Sequence, residues 1–260
     1  MENSTKALLI AAGLFLAVML LALLFVFKDD IGSYFSARHE TTMTQQMAEF
    51  NRKFESYNGK TIRGNELISI MNKVIDYNDL QAELEGFEKI MLEIDFINSQ
   101  YINELKYSNE RGANSIFSIT DSKIKNTKSS DDSLKTISNL SATLVNSAGI
   151  EGLTDTKLQR MSAEISNIVD DDIVDSRAKD EYIKYRTSLL KRILGYDVNN
   201  SKMSEIKTAT FKYYQFTQFK RAMFKCKQVG YDETNVRVNK LVFEVILEED
   251  YSGNKHIKFD

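Results

Sequence analysis

The strongest hydrophobic pattern in this chain is a continuous apolar run close to the N-terminus. From Ala7 to Phe27 every residue except Gly13 is apolar, with Lys6 before the run and Lys28 after it. At a rise of about 1.5 Å per residue, a helix of this length matches a bilayer core about 30 Å thick. The run is longer than the apolar part of a cleavable signal peptide, and no small-residue cleavage site follows it. The pattern predicts a short tail at 1–6, an uncleaved transmembrane helix at 7–27 and a lipid bilayer as partner.

The charges that flank this segment do not fix its orientation in the membrane. Lys6 and the amino terminus lie on one side, while Lys28 and Arg38 lie on the other, so the positive charges nearly balance. A short tail is most simply left in the cytoplasm. We therefore expect a single-pass protein of the cell membrane with its N-terminus inside and its C-terminal body outside, and the opposite orientation stays open.

In the polar region after the anchor, large apolar residues recur with a helical period. Five large apolar residues follow one another at spacings of four and three, which places them on one face of a helix. We interpret them as a possible partner-binding stripe: Met43, Met47, Phe50, Phe54 and Tyr57. Since the chain contains no proline, a helical stalk is predicted over 28–58.

The region after the stalk alternates between helical and strand patterns. Glycines at Gly59 and Gly64 predict a turn, and a helix is expected from Asn65 to Tyr77. Alternation at the end of 89–96 predicts a short strand, and a polar loop is expected over 118–135. Three amphipathic helices are then predicted, centred on 134–145, 158–168 and 180–194.

The C-terminal part predicts a β-hairpin. Residues around Phe224 and Cys226 alternate, the stretch 230–235 has turn chemistry, and 236–247 is rich in Val, Leu, Phe and Ile. A slip in the alternation near Asn239 and Lys240 indicates a bulge. The predicted fold class is α+β, with helices packed on a small antiparallel sheet. The head would cover 59–260, with a mainly helical insertion at about 98–204.

The amino-acid composition argues against several classes of function. The 37 acidic and 34 basic residues nearly cancel, which is not typical of a protein that coats nucleic acid. The single cysteine, Cys226, excludes a disulfide framework and a cysteine-rich metal site. The sequence Gly59-Lys60-Thr61 resembles the end of a phosphate-binding loop, but Phe54 occupies the position of the required upstream glycine. We predict no catalytic, cofactor-binding or metal-binding residues, no cofactor and no enzyme activity.

One segment, 202–228, combines basic and aromatic residues. Such a mixture can hold phosphates while the rings stack on bases, but it also arises when strand aromatics face a core and lysines face water. The second interpretation is the commoner one. The possible anionic-ligand patch consists of Lys212, Lys220, Arg221, Lys225 and Lys227.

Three stretches of the sequence are also similar to a known kind of protein. They are Glu2-Asn3 with Lys6-Ala7-Leu8, the run Phe50-Asn51, Phe54, Tyr57, Gly59 and Gly64 leading into 68–78, and the terminal hairpin. Together they resemble small single-pass, pilin-like envelope proteins of Gram-positive, Firmicutes-type bacteria. The resemblance implies an anchor, a helical stalk and a compact αβ head, without an assigned activity. Unlike true type IV pilins, this apolar run contains no glutamate and no processing motif.

These observations lead to an expected function and two alternatives. We expect a membrane-anchored structural or interaction protein of the cell envelope, in the form of a pilin-like subunit. Its partners would be other envelope proteins or copies of itself, and not nucleic acid. The first alternative is a cytoplasm-facing tethered module that binds nucleic acid or anionic lipid through 202–228. The second is an enzyme whose site uses carboxylates alone.

Overall fold

A computed structural model describes residues 2–81, 88–107, 115–117, 122–126, 132–170, 176–233 and 236–260. The chain divides into two compact units, Met1–Lys53 and Phe54–Asp260. The second unit is called the head below.

The first unit is helical. Helix α1 runs without interruption from Glu2 to Glu55, so it contains both the predicted anchor and almost all of the predicted stalk. Its part from Asn3 to Lys28 is long and apolar enough to cross a membrane, and none of that part is buried. Transfer of exposed apolar side chains from water to an apolar solvent is favourable. The predicted apolar helix is therefore confirmed, and it is long and apolar enough to span a membrane.

The head is built around a five-stranded sheet. Its strands are β1 (Thr61–Arg63), β2 (Met91–Asp95), β3 (Lys123–Lys125), β4 (Met223–Tyr231) and β5 (Val238–Val245). The strand order is β1-β4-β5-β2-β3. The predicted α+β class is confirmed. The sheet is mixed, however, because β2 runs parallel to β5, whereas a wholly antiparallel sheet was predicted. The long helical connection between these two strands is what permits a parallel pair.

The C-terminal residues add a small second sheet that the sequence pattern did not predict. Strands β6 (Leu247–Glu249) and β7 (Lys255–Ile257) form an antiparallel hairpin. The predicted hairpin, in turn, is confirmed as β4 and β5. The predicted bulge is confirmed too, because Asn239 is the extra residue between the Gly230–Lys240 and Tyr231–Val238 pairs. A second bulge occurs at Lys227, between the Cys226–Phe243 and Gln228–Val242 pairs.

The helices of the head are mostly short. They are α2 (Gly64–Asp76), a π-helical turn (Tyr77–Gln81), α3 (Ser99–Glu104), α4 (Asp132–Ser138), α5 (Leu140–Ser147), α6 (Asp155–Ala163), α7 (Ile165–Val169), α8 (Ser176–Leu194), a 3-10 turn (Asn200–Lys202) and α9 (Met203–Arg221). Helix α2 packs on the sheet and on α9. Helix α8 packs on α6 and α7, and not principally on the sheet as predicted.

Several predicted boundaries differ from those in the structure. The predicted turn from Gly59 to Gly64 contains strand β1. The predicted loop at 118–135 contains β3 and the start of α4, and its residues 118–121 and 127–131 lie outside the described residues. The predicted helices at 134–145 and 158–168 are each divided, at Asn139 and at Glu164. The largest correction concerns 203–221, which is helix α9 instead of a strand face.

The centre of the head is an aromatic cluster that joins the sheet to helix α9. Phe219 of α9 lies 5.3 Å from Phe224 of β4 and 5.6 Å from Phe117, measured between ring centroids. Phe96, next to β2, meets Phe224 edge-on at 5.9 Å. Such tilted and edge-to-face pairs are the favourable arrangements for aromatic rings. The aromatic residues of α9 therefore form core contacts that hold the sheet and the helical layer together.

Candidate interaction surface

The predicted stripe extends from accessible to buried positions along α1. Met43 is 42% exposed, Met47 is half-buried, Phe50 is buried, and Phe54, which belongs to the head, is 4% exposed. Tyr57 is also part of the head, where the Lys73 ammonium lies 5.9 Å from its ring centroid and 3.4 Å from its hydroxyl. Phe54 and Tyr57 thus serve the head's own packing, while Met43 keeps a surface that a partner can reach.

The structure separates the predicted anionic-ligand patch into two parts. Lys212, Lys220 and Arg221 belong to α9. The Lys220 ammonium lies 4.7 Å from the ring centroid of Phe216 and 5.4 Å from that of Tyr213, so it already has aromatic partners. The Arg221 guanidinium lies over Phe259 and donates to the main-chain oxygen of Asp260.

Most aromatic residues of this segment are buried. The buried members are Phe211, Tyr213, Phe216, Phe219 and Phe224. A ring that stacks on a nucleobase must present a face to the ligand. These side chains instead pack against one another and against the sheet, so this part of the segment offers little surface for stacking.

The second part of the patch lines a groove. Lys225 and Lys227 lie on β4, and the bulge at Lys227 changes the simple alternation there. Beside them is an open groove of about 630 Å³ between the sheet and the β6–β7 hairpin. Its other lining residues include Thr61, Ile97, Glu244, Leu247, Glu248 and Lys255. The groove lies wholly within the head.

Ile97 is the most unusual residue of this groove. Its φ of 66° is in the left-handed region, and its side chain is 48% exposed. A β-branched residue in that region costs about 1–2 kcal/mol, and such strain tends to occur at functional sites. The Ile97 amide donates to the Asp95 carboxylate at 2.7 Å, which holds the backbone in this conformation. The result is an apolar side chain displayed at the edge of a charged groove.

The charges around the groove are only partly paired. Lys227 binds Glu244 at 2.7 Å, and on the same sheet Lys123 contacts both Asp95 and Glu93. The Lys123 ammonium donates to the Asp95 and Glu93 carboxylates, and these hydrogen bonds raise the pKa of Lys123. Four groove residues have no ion-pair partner among the described residues: Lys225, Lys255, Glu248 and Glu249. The groove therefore offers both unpaired cations and unpaired anions.

The hairpin that forms one side of the groove is held in place at its turn and at its outer strand. The Asp250 carboxylate accepts hydrogen bonds from the amides of Ser252 and Asn254, and the Asn254 bond is the main reason that the pKa of Asp250 is lowered. On the other side, Glu104 of α3 accepts the Ile257 amide at 2.8 Å. These contacts anchor both ends of β7.

The lone cysteine and the clusters of titratable side chains are the remaining candidates for chemistry. Cys226 is 1% exposed, and burial raises the pKa of its thiol, which disfavours the reactive thiolate. Within the described ranges, no three His, Cys, Asp or Glu side chains converge as a metal ion would require. The sequence singled out Lys225 and Lys227 by charge alone, whereas Ile97 and the β6 residues carry no local signal.

Comparison with protein-family models, with curated proteins and with solved structures finds no match to this chain.

Proposed function

We propose that this chain is a single-pass, membrane-anchored interaction protein of the cell envelope that acts as a pilin-like structural subunit. The observation that carries the proposal is the exposed apolar span Asn3–Lys28. Apart from Phe50, the buried apolar core of the described residues belongs to the second compact unit. In the proposed topology the N-terminal tail lies inside the cell and the head outside. The proposal includes no catalytic step.

The two units differ in character, one with an exposed apolar span and one with its own buried core, and this difference supports the proposed role. The apolar span stabilises attachment to the bilayer through burial in hydrocarbon, and the head needs no membrane contact to complete its core. The accessible end of the stripe, at Met43, and the groove beside β6 are then left for protein partners. Copies of the chain or other envelope proteins would be held at high local concentration by the shared membrane, which favours weak contacts between them.

Cross-linking in membranes that contain the full chain tests whether the stripe contacts other copies. We would compare Met43→Cys with Gln45→Cys, which is also exposed but lies about 200° around the helix. The buried Cys226 gives little background with a bismaleimide reagent. Cross-linked dimers are expected from Met43→Cys at several times the yield from Gln45→Cys. Equal yields, or none from either variant, would contradict association through the stripe.

A further inference from the structure

The outer edge of strand β6 is an unpaired strand edge. The amide of Lys258 donates to the Ile246 carbonyl, and the amide of Asp250 donates to the Asn254 carbonyl. In an antiparallel pair the bonded positions alternate, so Glu248 bonds to His256, while the main-chain groups of Leu247 and Glu249 point away from β7. The same rule makes the Ile257 amide point outward from β7, and it does so, toward Glu104.

The two outer edges of the hairpin therefore differ in their hydrogen bonding. At the outer edge of β7, the Glu104 carboxylate accepts a hydrogen bond from the Ile257 amide. At the outer edge of β6, no described residue accepts from the amides of Leu247 and Glu249 or donates to their carbonyls. Leu247, Glu248 and Glu249 all line the groove of about 630 Å³, which leaves space next to this edge. An exposed strand edge beside an open groove is the arrangement that extended peptides use when they add a strand to a sheet.

The charges select among possible occupants. A second copy that paired with β6 symmetrically about Glu248 would place two Glu248 side chains opposite each other, and like charges in that position are destabilising. A foreign strand with Lys or Arg opposite Glu248 and Glu249 would gain cross-strand attraction instead. Across the groove, the unpaired Lys225 favours an acidic residue. The charge pattern therefore fits a partner segment of mixed charge and disfavours the chain itself.

We propose that β6 binds an extended segment of a partner protein as a third strand, with basic side chains opposite Glu248 and Glu249 and an acidic residue toward Lys225. Exposed Ile97 supplies an apolar contact at the edge of the same groove. The inference rests on the proposed function, since it specifies the partner of the interaction protein, but it uses only residues of the head.

The test uses the full chain in detergent and a fluorescein-labelled peptide, Thr-Val-Lys-Lys-Val-Glu-Thr, with its charge-reversed counterpart Thr-Val-Glu-Glu-Val-Lys-Thr. Fluorescence anisotropy should show saturable binding of the first peptide and at least tenfold weaker binding of the second. Hydrogen exchange of the amides at 247–249 should slow when the first peptide binds. Binding without protection of these amides, or equal binding of both peptides, would overturn the proposal.

A matched pair of variants separates backbone pairing from charge. Glu249→Pro removes an outward amide that makes no bond to β7, so the hairpin ladder is kept, and Glu249→Ala removes the carboxylate alone. The proline variant should bind the peptide about tenfold more weakly than the alanine variant. Equal affinities for folded variants, checked by circular dichroism, would overturn strand addition. If the first peptide does not bind the wild-type chain while Met43→Cys cross-links as expected, this inference fails and the proposed function stands.

Discussion

Gly64 is the residue at which the identity of the side chain is most strictly limited by packing. Its amide donates to the Ala222 carbonyl at 2.8 Å, and a Cβ atom built there would lie 1.8 Å from the Phe219 carbonyl oxygen. Because the clash is with backbone, α2 and α9 would have to separate. Gly64→Ala is expected to lower the free energy of unfolding by about 3 kcal/mol.

Gly59→Ala is the matched control for this prediction. Gly59 has a φ of 72° but open space around its Cβ position, so its substitution should cost only about 1 kcal/mol. Urea unfolding of the full chain in detergent, followed by circular dichroism, measures both. Equal costs for the two variants would contradict the close approach of α2 to α9.

Asp155 links three helices through its carboxylate. The hydroxyls of Ser141 and Tyr213 both donate to it, the latter at 2.9 Å. The Ser141 bond is the main reason that the pKa of Asp155 is lowered, and burial of the group opposes it. A folded pKa below the unfolded value of about 4 gives stability that is present above pH 4 and is lost as the pH falls through the folded pKa.

Asp155→Ala should therefore destabilise the head at pH 7 and matter less in acid. The expected loss at pH 7 is about 1 kcal/mol, a modest value because Asp155 itself is exposed. Melting temperatures of wild type and variant at pH 7 and at pH 3 measure the difference, which should shrink at the lower pH. A gap that widens in acid would show that the carboxylate does not stabilise the fold in this way.

At the scale of elements, buried asparagines hold the beginning of strand β2. The Asn126 side chain accepts the Leu92 amide at 2.5 Å and donates to the Ile90 carbonyl at 2.8 Å. Asn78 makes a second pair of bonds to the main chain of Ile90. Because these groups are buried, loss of the Asn126 side chain leaves the Leu92 amide without water or a partner, while the Ile90 carbonyl keeps its bond from Asn78.

Asn126→Ala is expected to cost about 2–3 kcal/mol in unfolding free energy. Hydrogen exchange at Leu92 should accelerate in this variant before the amides of β4 and β5 are affected. Asn103→Ala, on an exposed position of α3, is the control and should change stability by less than about 0.5 kcal/mol. A neutral Asn126→Ala would mean that β2 is held by sheet pairing alone.

The elements that the sequence predicted well are those with a long period or a clear end signal. Helix α8 ends at Leu194, directly before Gly195, whose φ of 92° is a conformation that glycine adopts readily. Strands β1 and β3 have three residues each, which is too short to show alternation. In α9 aromatic and basic residues are interleaved so closely that a period of two can be read into a helix.

The residues of the candidate surface could also be predicted only in part from the sequence. Lys225 and Lys227 could be found from their charge. The exposure of Ile97 and the unpaired edge of β6 depend on the parallel pairing of β2 with β5 and on the register of β6 with β7. Neither pairing leaves a trace in a single sequence, because partners far apart in the chain are fixed by packing and by main-chain hydrogen bonds.

At the scale of the whole molecule, the proposed function depends on the apolar span and on the side of the membrane that holds the head. The span was predicted as 7–27 and lies within the helical stretch Asn3–Lys28. It could be predicted because an uninterrupted apolar run of this length is visible directly in the sequence. The flanking charges are too evenly balanced to fix the orientation. Orientation therefore has to be measured.

The most direct test is to label single cysteines in cells that express the full chain. Ser252→Cys lies on the exposed turn of the β6–β7 hairpin, Ser4→Cys lies before the apolar run, and native Cys226 is buried and gives little background. A membrane-impermeant maleimide should label Ser252→Cys in intact cells and Ser4→Cys only after lysis. Labelling of Ser252→Cys only after lysis would place the head in the cytoplasm and contradict an envelope subunit.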